Sequence, residues 1–375
     1  MNLEDPARGT AAIEQSHRGS TGAAAAPFVS IIIPCRNERG FIATCLDSVL
    51  RDGFPLDRLE VLVVDGGSGD GTRDIVEEYS ARFPCIRLLD NPRRAVPSAL
   101  NIGIARASGD VIMRMDAHAE LERGYIAGCV TALNEHDADN VGGTWRIVPR
   151  SPTATGRAIV KALSHPFGVG NARYRLGGAE LAREVDTVPW FCCRRELFRD
   201  IGVFNEKLIR GQDMEFSLRL QRQGRRTVLV PGVESRYYAR SDFESFVKHN
   251  WTNGKWAILP YLHAPNRPVS WRHLVPLTFV VGAMSAVGIA LVQPSMTVVP
   301  AALVGAYGTA CVVASAGVAW RERDIRYLLL LPWAFASLHV SYGLGSVAGV
   351  TRVVSSPRFW GSWWRWSHGR SASPR

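Results

Sequence analysis

The sequence predicts an α/β domain built on a mostly parallel central sheet, followed by helices that cross a membrane. Three observations carry this expectation. From Phe28 onward, short apolar runs alternate with stretches of helical apolar spacing. Two of the apolar runs end in or next to a carboxylate, at Asp65 and Asp116. Beyond Arg272 come three long segments without Asp, Glu, Lys or Arg.

The elements follow in order. Residues 1–26 are rich in Ala, Gly, Ser and charge and have no continuous apolar core, so they read as a disordered leader and not a secretory signal. Phe28 to Ile33 is a buried strand, and Phe41, Ile42, Cys45, Leu46, Val49 and Leu50 then share one helical face. Glu60 to Val64 is the next strand, ending at Asp65. Thr72 to Phe83 reads as a helix, Ile86 to Leu89 as a strand, Pro97 to Ala107 as a helix and Val111 to Met115 as a strand. Strands separated by helices imply right-handed crossovers and a parallel sheet. This soluble region runs over residues 27–262, with a juxtamembrane linker at 263–273.

Leu274 to Val292, Val298 to Trp320 and Tyr327 to Val350 are each long enough to span a hydrocarbon core of about 30 Å. They place two to three transmembrane helices in residues 274–350, before a basic, Trp-rich tail at 351–375. Lys255, Arg267, Arg272 and His273 precede the first span, and Arg321, Arg323 and Arg326 follow the second, so both groups belong on the cytoplasmic side. A complete third span would then send Arg352, Arg358, Arg365 and Arg370 outside, against that rule. Either the third segment is re-entrant or interfacial, or the bias is overridden. The tail Phe359-Trp-Gly-Ser-Trp-Trp-Arg-Trp366 resembles an interfacial aromatic anchor in both cases.

The 375 residues carry a formal net charge of +10 and a pI of about 9.5. Such charge suits nucleic acid, anionic membrane or a phosphorylated substrate. Nucleic acid is set aside, because the soluble half lacks a basic stripe interleaved with aromatics. Seven cysteines form no C-x-x-C pair and lie mostly in apolar stretches, which fits reduced, buried thiols.

Chemistry-bearing residues recur at the strand ends, where open α/β sheets place ligands. They are Pro34-Cys-Arg-Asn-Glu38, Asp65-Gly-Gly-Ser-Gly-Asp70-Gly-Thr72, Asp116-Ala-His118 and, at a helix start, Gln212-Asp213-Met-Glu215. The glycine-rich turn is not a dinucleotide fingerprint, since Thr72 stands where the third glycine belongs. Nor is it a P-loop, since Thr72 also stands where Lys is required. Asp65 suits a base or ribose hydroxyl, or is the capping residue of an ordinary turn. His118-Ala-Glu120 matches half of a zinc-deaminase signature, but the P-C-x-x-C partner is missing. Asp116 and His118 can both reach one divalent cation, which would neutralise a diphosphate.

Over about Val29 to Tyr261 the chain resembles the family-2 glycosyltransferases of GT-A fold, closest to membrane-anchored bacterial enzymes of succinoglycan-type exopolysaccharide assembly. The resemblance rests on V-S-I-I-I-P-C-R-N-E, V-V-D-G-G-S-G-D-G-T, D-A-H-A, F-G-V-G-N-A-R-Y-R and R-G-Q-D-M-E-F in this order, with R-H-L-V-P and H-V-S-Y-G-L-G later. It implies that Pro34, Glu38, Asp65 and Asp116 bind the nucleotide sugar. It further implies that Asp116, with His118 in place of the usual second acid, holds Mg²⁺ or Mn²⁺, and that Asp213 is the catalytic base. Imidazole would shift preference toward Mn²⁺, or His118 contacts the diphosphate instead. Gln212 replaces a frequent Glu, and Thr252-Asn-Gly-Lys255-Trp256 departs from the Q-x-x-R-W of processive members. Arg94, Arg210, Gln212, Lys255 and Trp256 are candidate phosphate or acceptor contacts, and His165 to Arg175 is the candidate acceptor side.

The expected activity is inverting transfer of a sugar from a nucleotide diphosphate, UDP-linked by this resemblance, to a polyprenyl-linked saccharide. The expected location is the bacterial inner membrane, multi-pass, with the catalytic domain cytoplasmic and in contact with membrane lipid. Two other readings stay open: a polyprenyl-phosphate monosaccharide synthase, and a non-catalytic membrane scaffold retaining the fold.

Overall fold

Strand β1 (Val29–Cys35) is buried along nearly its whole length, and its alternating side chains feed two separate cores. Val29, Ile31 and Ile33 pack with Ile42, Cys45, Leu46 and Val49 of the helix Ile42–Leu50 on one face. Ile32 points to the other face, where it joins Leu100, Phe191, Phe198, Phe204 and Phe216. A strand covered on both faces needs a continuous apolar run, and this sequence supplies one. The structure, a computed structural model, describes residues 26–177, 181–263, 271–357 and 359–360. The expected leader up to residue 25, most of the expected linker and the tail beyond residue 360 lie outside the described residues.

Strands β2 (Leu59–Asp65), β3 (Ile86–Asp90) and β4 (Val111–Arg114) flank β1 in the order β3-β2-β1-β4, all parallel. This is the parallel sheet read from the alternating pattern. Beyond β4 the sheet becomes mixed. β8 (Cys192–Arg194) pairs antiparallel with β4 and with β6 (Asn140–Pro149), and β6 runs parallel to the long β9 (Thr227–Ala239). β5 (Ala119–Leu121) and the short β7 (Arg183–Glu184) pair antiparallel with β9. The order β2-β1-β4 makes the chain leave β1 in opposite directions on its two sides. A crevice therefore opens above the carboxyl ends of β1 and β4, where Pro34 to Glu38 and Asp116 emerge.

The helix Gln212–Arg222 closes this crevice. Gly211 caps it in a left-handed conformation (φ 76°) that side-chain-bearing residues rarely adopt. Phe216 and Leu220 pin it to the sheet, with Phe216 ring centroids 4.8 Å from Phe204 and 5.6 Å from Phe198. Cutting Phe216 back to Ala would remove this anchor at a cost of about 3–5 kcal/mol.

Among the described residues, three helices are long and apolar enough to cross a membrane: Val275–Val292, Pro294–Glu322 (α-helical from Val298) and Arg326–Val354. Their apolar side chains face outward, with Leu291, Val292, Trp320, Leu329 and Trp333 all largely exposed. Helices buried inside a water-soluble domain would not show this. The third is one unbroken helix that carries Pro332 inside it, so the re-entrant form is not seen.

That third helix also lies along the helix Phe243–Ile258 of the soluble half. The two approach through glycines: a Cβ on Gly345 would meet the Trp251 carbonyl oxygen at 2.1 Å, and one on Gly254 would meet that of Tyr342 at 1.9 Å. Ser346 Oγ donates to the Gly254 carbonyl at 3.1 Å. Small residues let helix backbones touch in this way. Lys255 and Trp256 therefore sit on a helix clamped to an apolar span.

Candidate active site

The crevice floor is built from two turns stitched together. After β1, Asn37 N–H donates to Ser68 Oγ at 2.8 Å and Asn37 Oδ1 accepts from Gly69 N at 3.1 Å. Glu38 N–H donates to Thr72 Oγ1 at 2.9 Å. Asp65 lies beneath, 1% exposed, accepting from Gly67 N, Ser68 N and Arg73 Nη1 at 3.0 Å each. Burial raises its carboxyl pKa, but Ser68, Arg73 and Gly67 outweigh that and hold it below the ordinary value. Asp65 thus organises the glycine-rich turn. Pro34 stands at the β1 end in register with Val64, and Arg94, in a left-handed conformation (φ 57°), lies over the turn against Gly66 and Gly67.

Above that floor the chain brings Asp116, Asp213, Glu38 and His118 to one place. Arg114, the last residue of β4 and only 7% exposed, is the hub. Its Nε and Nη2 donate to Asp116 Oδ1 at 3.2 and 2.9 Å. Its Nη1 lies 3.9 Å from Asp213 Oδ2. A buried guanidinium is tolerated only with such partners. Asp213 sits in the first turn of its helix, where backbone N–H groups favour an anion, and Met214 N–H donates to its Oδ1 at 2.9 Å.

Burial raises the Asp116 pKa, but Arg114 and then His118 more than offset it, so the carboxyl is held below its ordinary value. His118 Nδ1 lies 3.0 Å from Glu38 Oε1. Burial disfavours the imidazolium, yet Glu38 and Asp116 outweigh it and raise the His118 pKa. The acid after the first strand and the imidazole after β4, read from the sequence as separate contacts, are partners.

No group of three His, Cys, Asp or Glu side chains forms a closed cation cage among the described residues. A cation shared with a diphosphate needs no such cage, since one or two protein ligands suffice when phosphate oxygens and water complete the shell. Asp116 and His118 fit that role. Both Arg114 contacts fall on Asp116 Oδ1, and His118 turns one ring nitrogen to Glu38.

An aromatic wall flanks the carboxylates. Trp145 and Tyr237 stack at 4.2 Å and 6°, Tyr174 meets Trp145 edge-on at 5.1 Å, and the His118 ring lies 6.1 Å from Tyr237. Arg175 lies over Trp145 with its guanidinium carbon 5.2 Å from the ring centroid. The segment His165 to Arg175 thus reaches the site through Tyr174 and Arg175. Arg210 donates to Asn253 Oδ1 at 3.0 Å, and Gln212 is buried, its Oε1 without a partner among the described residues.

Sequence reasoning missed Arg114, Trp145, Tyr237, Arg240 and His249. A signal existed for Arg114: it is a charge inside an apolar strand run, which needs a buried partner. None existed for the others, which converge only through β6, β9 and the helix Phe243–Ile258.

Residues 30–201 match the family described as glycosyl transferase family 2, and residues 189–364 match glycosyl transferase family group 2. The succinoglycan biosynthesis protein ExoA of Rhizobium meliloti is 27% identical over 270 residues, spanning 66% of this chain and 80% of that protein. A dolichyl N-acetyl-α-D-glucosaminyl phosphate 3-β-D-2,3-diacetamido-2,3-dideoxy-β-D-glucuronosyltransferase of Methanococcus voltae is 28% identical over 233 residues, covering 60% of this chain and 72% of its own. Among solved structures, the mannosyltransferase PcManGT of Pyrobaculum calidifontis, in complex with GDP-Man and Mn²⁺, superposes with a TM-score of 0.56 at 21% identity, over 86% of this chain and 87% of that one. That likeness shows a shared GT-A-type fold. With two overlapping family matches that together span residues 30–364, the chain belongs to glycosyl transferase family 2, and it is a glycosyltransferase.

Proposed function

We propose that the protein transfers a sugar, with inversion, from a nucleoside diphosphate to a lipid-linked saccharide in the assembly of an extracellular or cell-envelope polysaccharide. The observation that carries this reading is the shared hold of Arg114 on Asp116 and Asp213, which sets a diphosphate-side acid beside a base.

Pro34, Glu38, Asp65 and Asp116 form the donor side. Glu38 reaches it through His118, and Asp65 acts by shaping the turn that meets the nucleotide. Asp116 and His118 would hold Mg²⁺ or Mn²⁺, which neutralises charge on the leaving diphosphate as a Lewis acid. Asp213 accepts the proton of the attacking acceptor hydroxyl, a contribution of about 10²–10⁴-fold. Attack guided by Asp213 as the single base comes from the face opposite the leaving group and inverts the anomeric carbon. Arg114 lies between the two acids, hydrogen-bonded to Asp116 and 3.9 Å from Asp213. Trp145, Tyr174 and Tyr237 offer apolar ring faces to the acceptor sugar.

The lipid-linked acceptor is supported by the third apolar helix clamped to the helix that carries Lys255 and Trp256. The Methanococcus voltae relative is named for a dolichyl-phosphate-linked sugar acceptor, which agrees. In this reading residues 27–262 face the cytoplasm of a bacterial inner membrane, and residues 274–350 cross it more than once. The test incubates membranes holding the full chain with labelled nucleotide sugars, Mn²⁺ or Mg²⁺, and either polyprenyl phosphate or a polyprenyl-diphosphate saccharide. A lipid product with at least two sugars is expected. A product with a single sugar would replace this reading with a polyprenyl-phosphate monosaccharide synthase, and no product with any donor would favour a scaffold.

A further inference from the structure

Next to the aromatic wall lies a cavity of about 30 Å³ lined by Arg175, Tyr237, Arg240, His249 and Asn253 among others. Arg210 reaches its edge through Asn253. Space of that size takes roughly two water-sized groups, so a phosphate would lodge part of its oxygens there and leave the rest at the mouth. The lining is cationic on one side and supplies amide donors on the other. Among the described residues, no carboxylate lies within ion-pair distance of Arg175, Arg210 or Arg240.

Arg210 and Arg240 lie close enough to repel one another, so a positive field builds up here around His249. Two neighbours record that field. Burial first, then Arg240, Arg210 and Arg175, push the His249 pKa down to about 3. Burial and then Arg240 lower that of Arg210. His249 Nδ1 is buried and has no hydrogen-bond partner among the described residues. Nothing in the donor-side chemistry uses these groups. Arginine forks pair bidentately with phosphate oxygens, and a bound anion would relieve the repulsion and give the unpaired nitrogens partners.

We propose that this cavity is an anion subsite for the phosphate or diphosphate group of the acceptor, with Arg175 and Arg240 as its principal ligands and Arg210, His249 and Asn253 completing it. The inference rests on the reading of the acceptor as lipid-linked, and it deepens that reading. Tyr237 lines the subsite and its ring centroid also lies 6.1 Å from that of His118, so an anion here sits next to the transfer site. The clamped helix Phe243–Ile258, which supplies His249 and Asn253, places the subsite next to the apolar span Arg326–Val354. A headgroup could enter it while its lipid stays in the bilayer.

The test uses the full chain in detergent and measures affinity for inorganic pyrophosphate and, separately, for UDP, in the native protein and in Arg175→Gln, Arg240→Gln and Arg240→Lys. Pyrophosphate affinity is expected to fall at least tenfold in both Gln variants, to be partly restored in Arg240→Lys, and UDP affinity to stay unchanged. Vesicles with polyprenyl diphosphate are expected to compete with pyrophosphate, whereas vesicles of phosphatidylglycerol alone are not. Equal loss of both affinities would assign the arginines to the donor and overturn the proposal, as would unchanged pyrophosphate binding. Competition by phosphatidylglycerol would make the site a general lipid-phosphate contact and overturn the acceptor assignment. None of these readouts requires turnover, so they stand apart from failure of the transfer reaction itself.

Discussion

Asp116 and Asp213, far apart in the sequence, are held by opposite arms of one guanidinium: Arg114 Nη2 lies 2.9 Å from Asp116 Oδ1, and its Nη1 lies 3.9 Å from Asp213 Oδ2. The acid on the diphosphate side and the candidate base therefore flank one buried cation, hydrogen-bonded to Asp116 and at ion-pair distance from Asp213.

Replacing Arg114 by Gln leaves Asp116 facing a buried space without its cation. Removal of one partner from a buried ion pair costs about 3–5 kcal/mol. A lowered thermal midpoint is expected, with a raised donor KM in whatever protein remains folded. An unchanged midpoint would mean that the guanidinium contributes nothing to the hold.

Asp213→Asn keeps the shape of the side chain and removes its basicity. Transfer should fall by about 10²–10⁴-fold while donor binding stays near native, because Asp213 meets the acceptor hydroxyl. Initial rates and donor affinity measured on the same preparation decide this. A donor affinity lost together with the rate would move Asp213 to the nucleotide side.

His118→Asp tests the imidazole as a cation ligand. Replacing nitrogen by carboxylate oxygen favours the harder ion, so the ratio of activity in Mg²⁺ to activity in Mn²⁺ should rise. Titration of both metals against nucleoside diphosphate release gives the ratio. An unaltered ratio would leave His118 as a contact of Glu38 and the diphosphate only.

His249 is expected to make the protein less stable in acid. Its folded pKa is pushed down to about 3 by burial and by Arg240, Arg210 and Arg175, while the unfolded chain titrates near 6.5. Between those values the unfolded state binds a proton that the folded state refuses, so stability falls as pH falls through that window. Thermal midpoints followed from pH 7 to 4 should decline less steeply in His249→Asn. Parallel curves would show that another group sets the acid limb.

Gly345→Val would drive a side chain into the Trp251 carbonyl, which a Cβ meets at 2.1 Å. Such overpacking costs about 1–3 kcal/mol and should loosen the catalytic half from the third apolar helix. Faster proteolysis between the two is the readout. Gly317→Ala, where a Cβ would meet nothing within 4 Å, serves as the neutral comparison. Equal proteolysis in both would show that the contact is not a clamp.

The sequence by itself determined the parallel half of the sheet, the three apolar helices and the order of the acidic turns. These are local facts: apolar period, charge-free length and turn composition act over a few residues. Strand limits shifted by a residue or two, as at β2, which extends to include Asp65. The tertiary structure alone decided the mixed half of the sheet, because short β8 and long β9 are defined by partners and not by their own pattern. It likewise decided that Glu38 meets His118, that Arg114 joins Asp116 to Asp213, and that Arg175, Arg240 and His249 ring one cavity. Each of these depends on long-range closure of the chain. Hydrogen bonds and charge pairs form across space, and the spacing of residues along a chain carries no record of which distant partner will satisfy a buried charge.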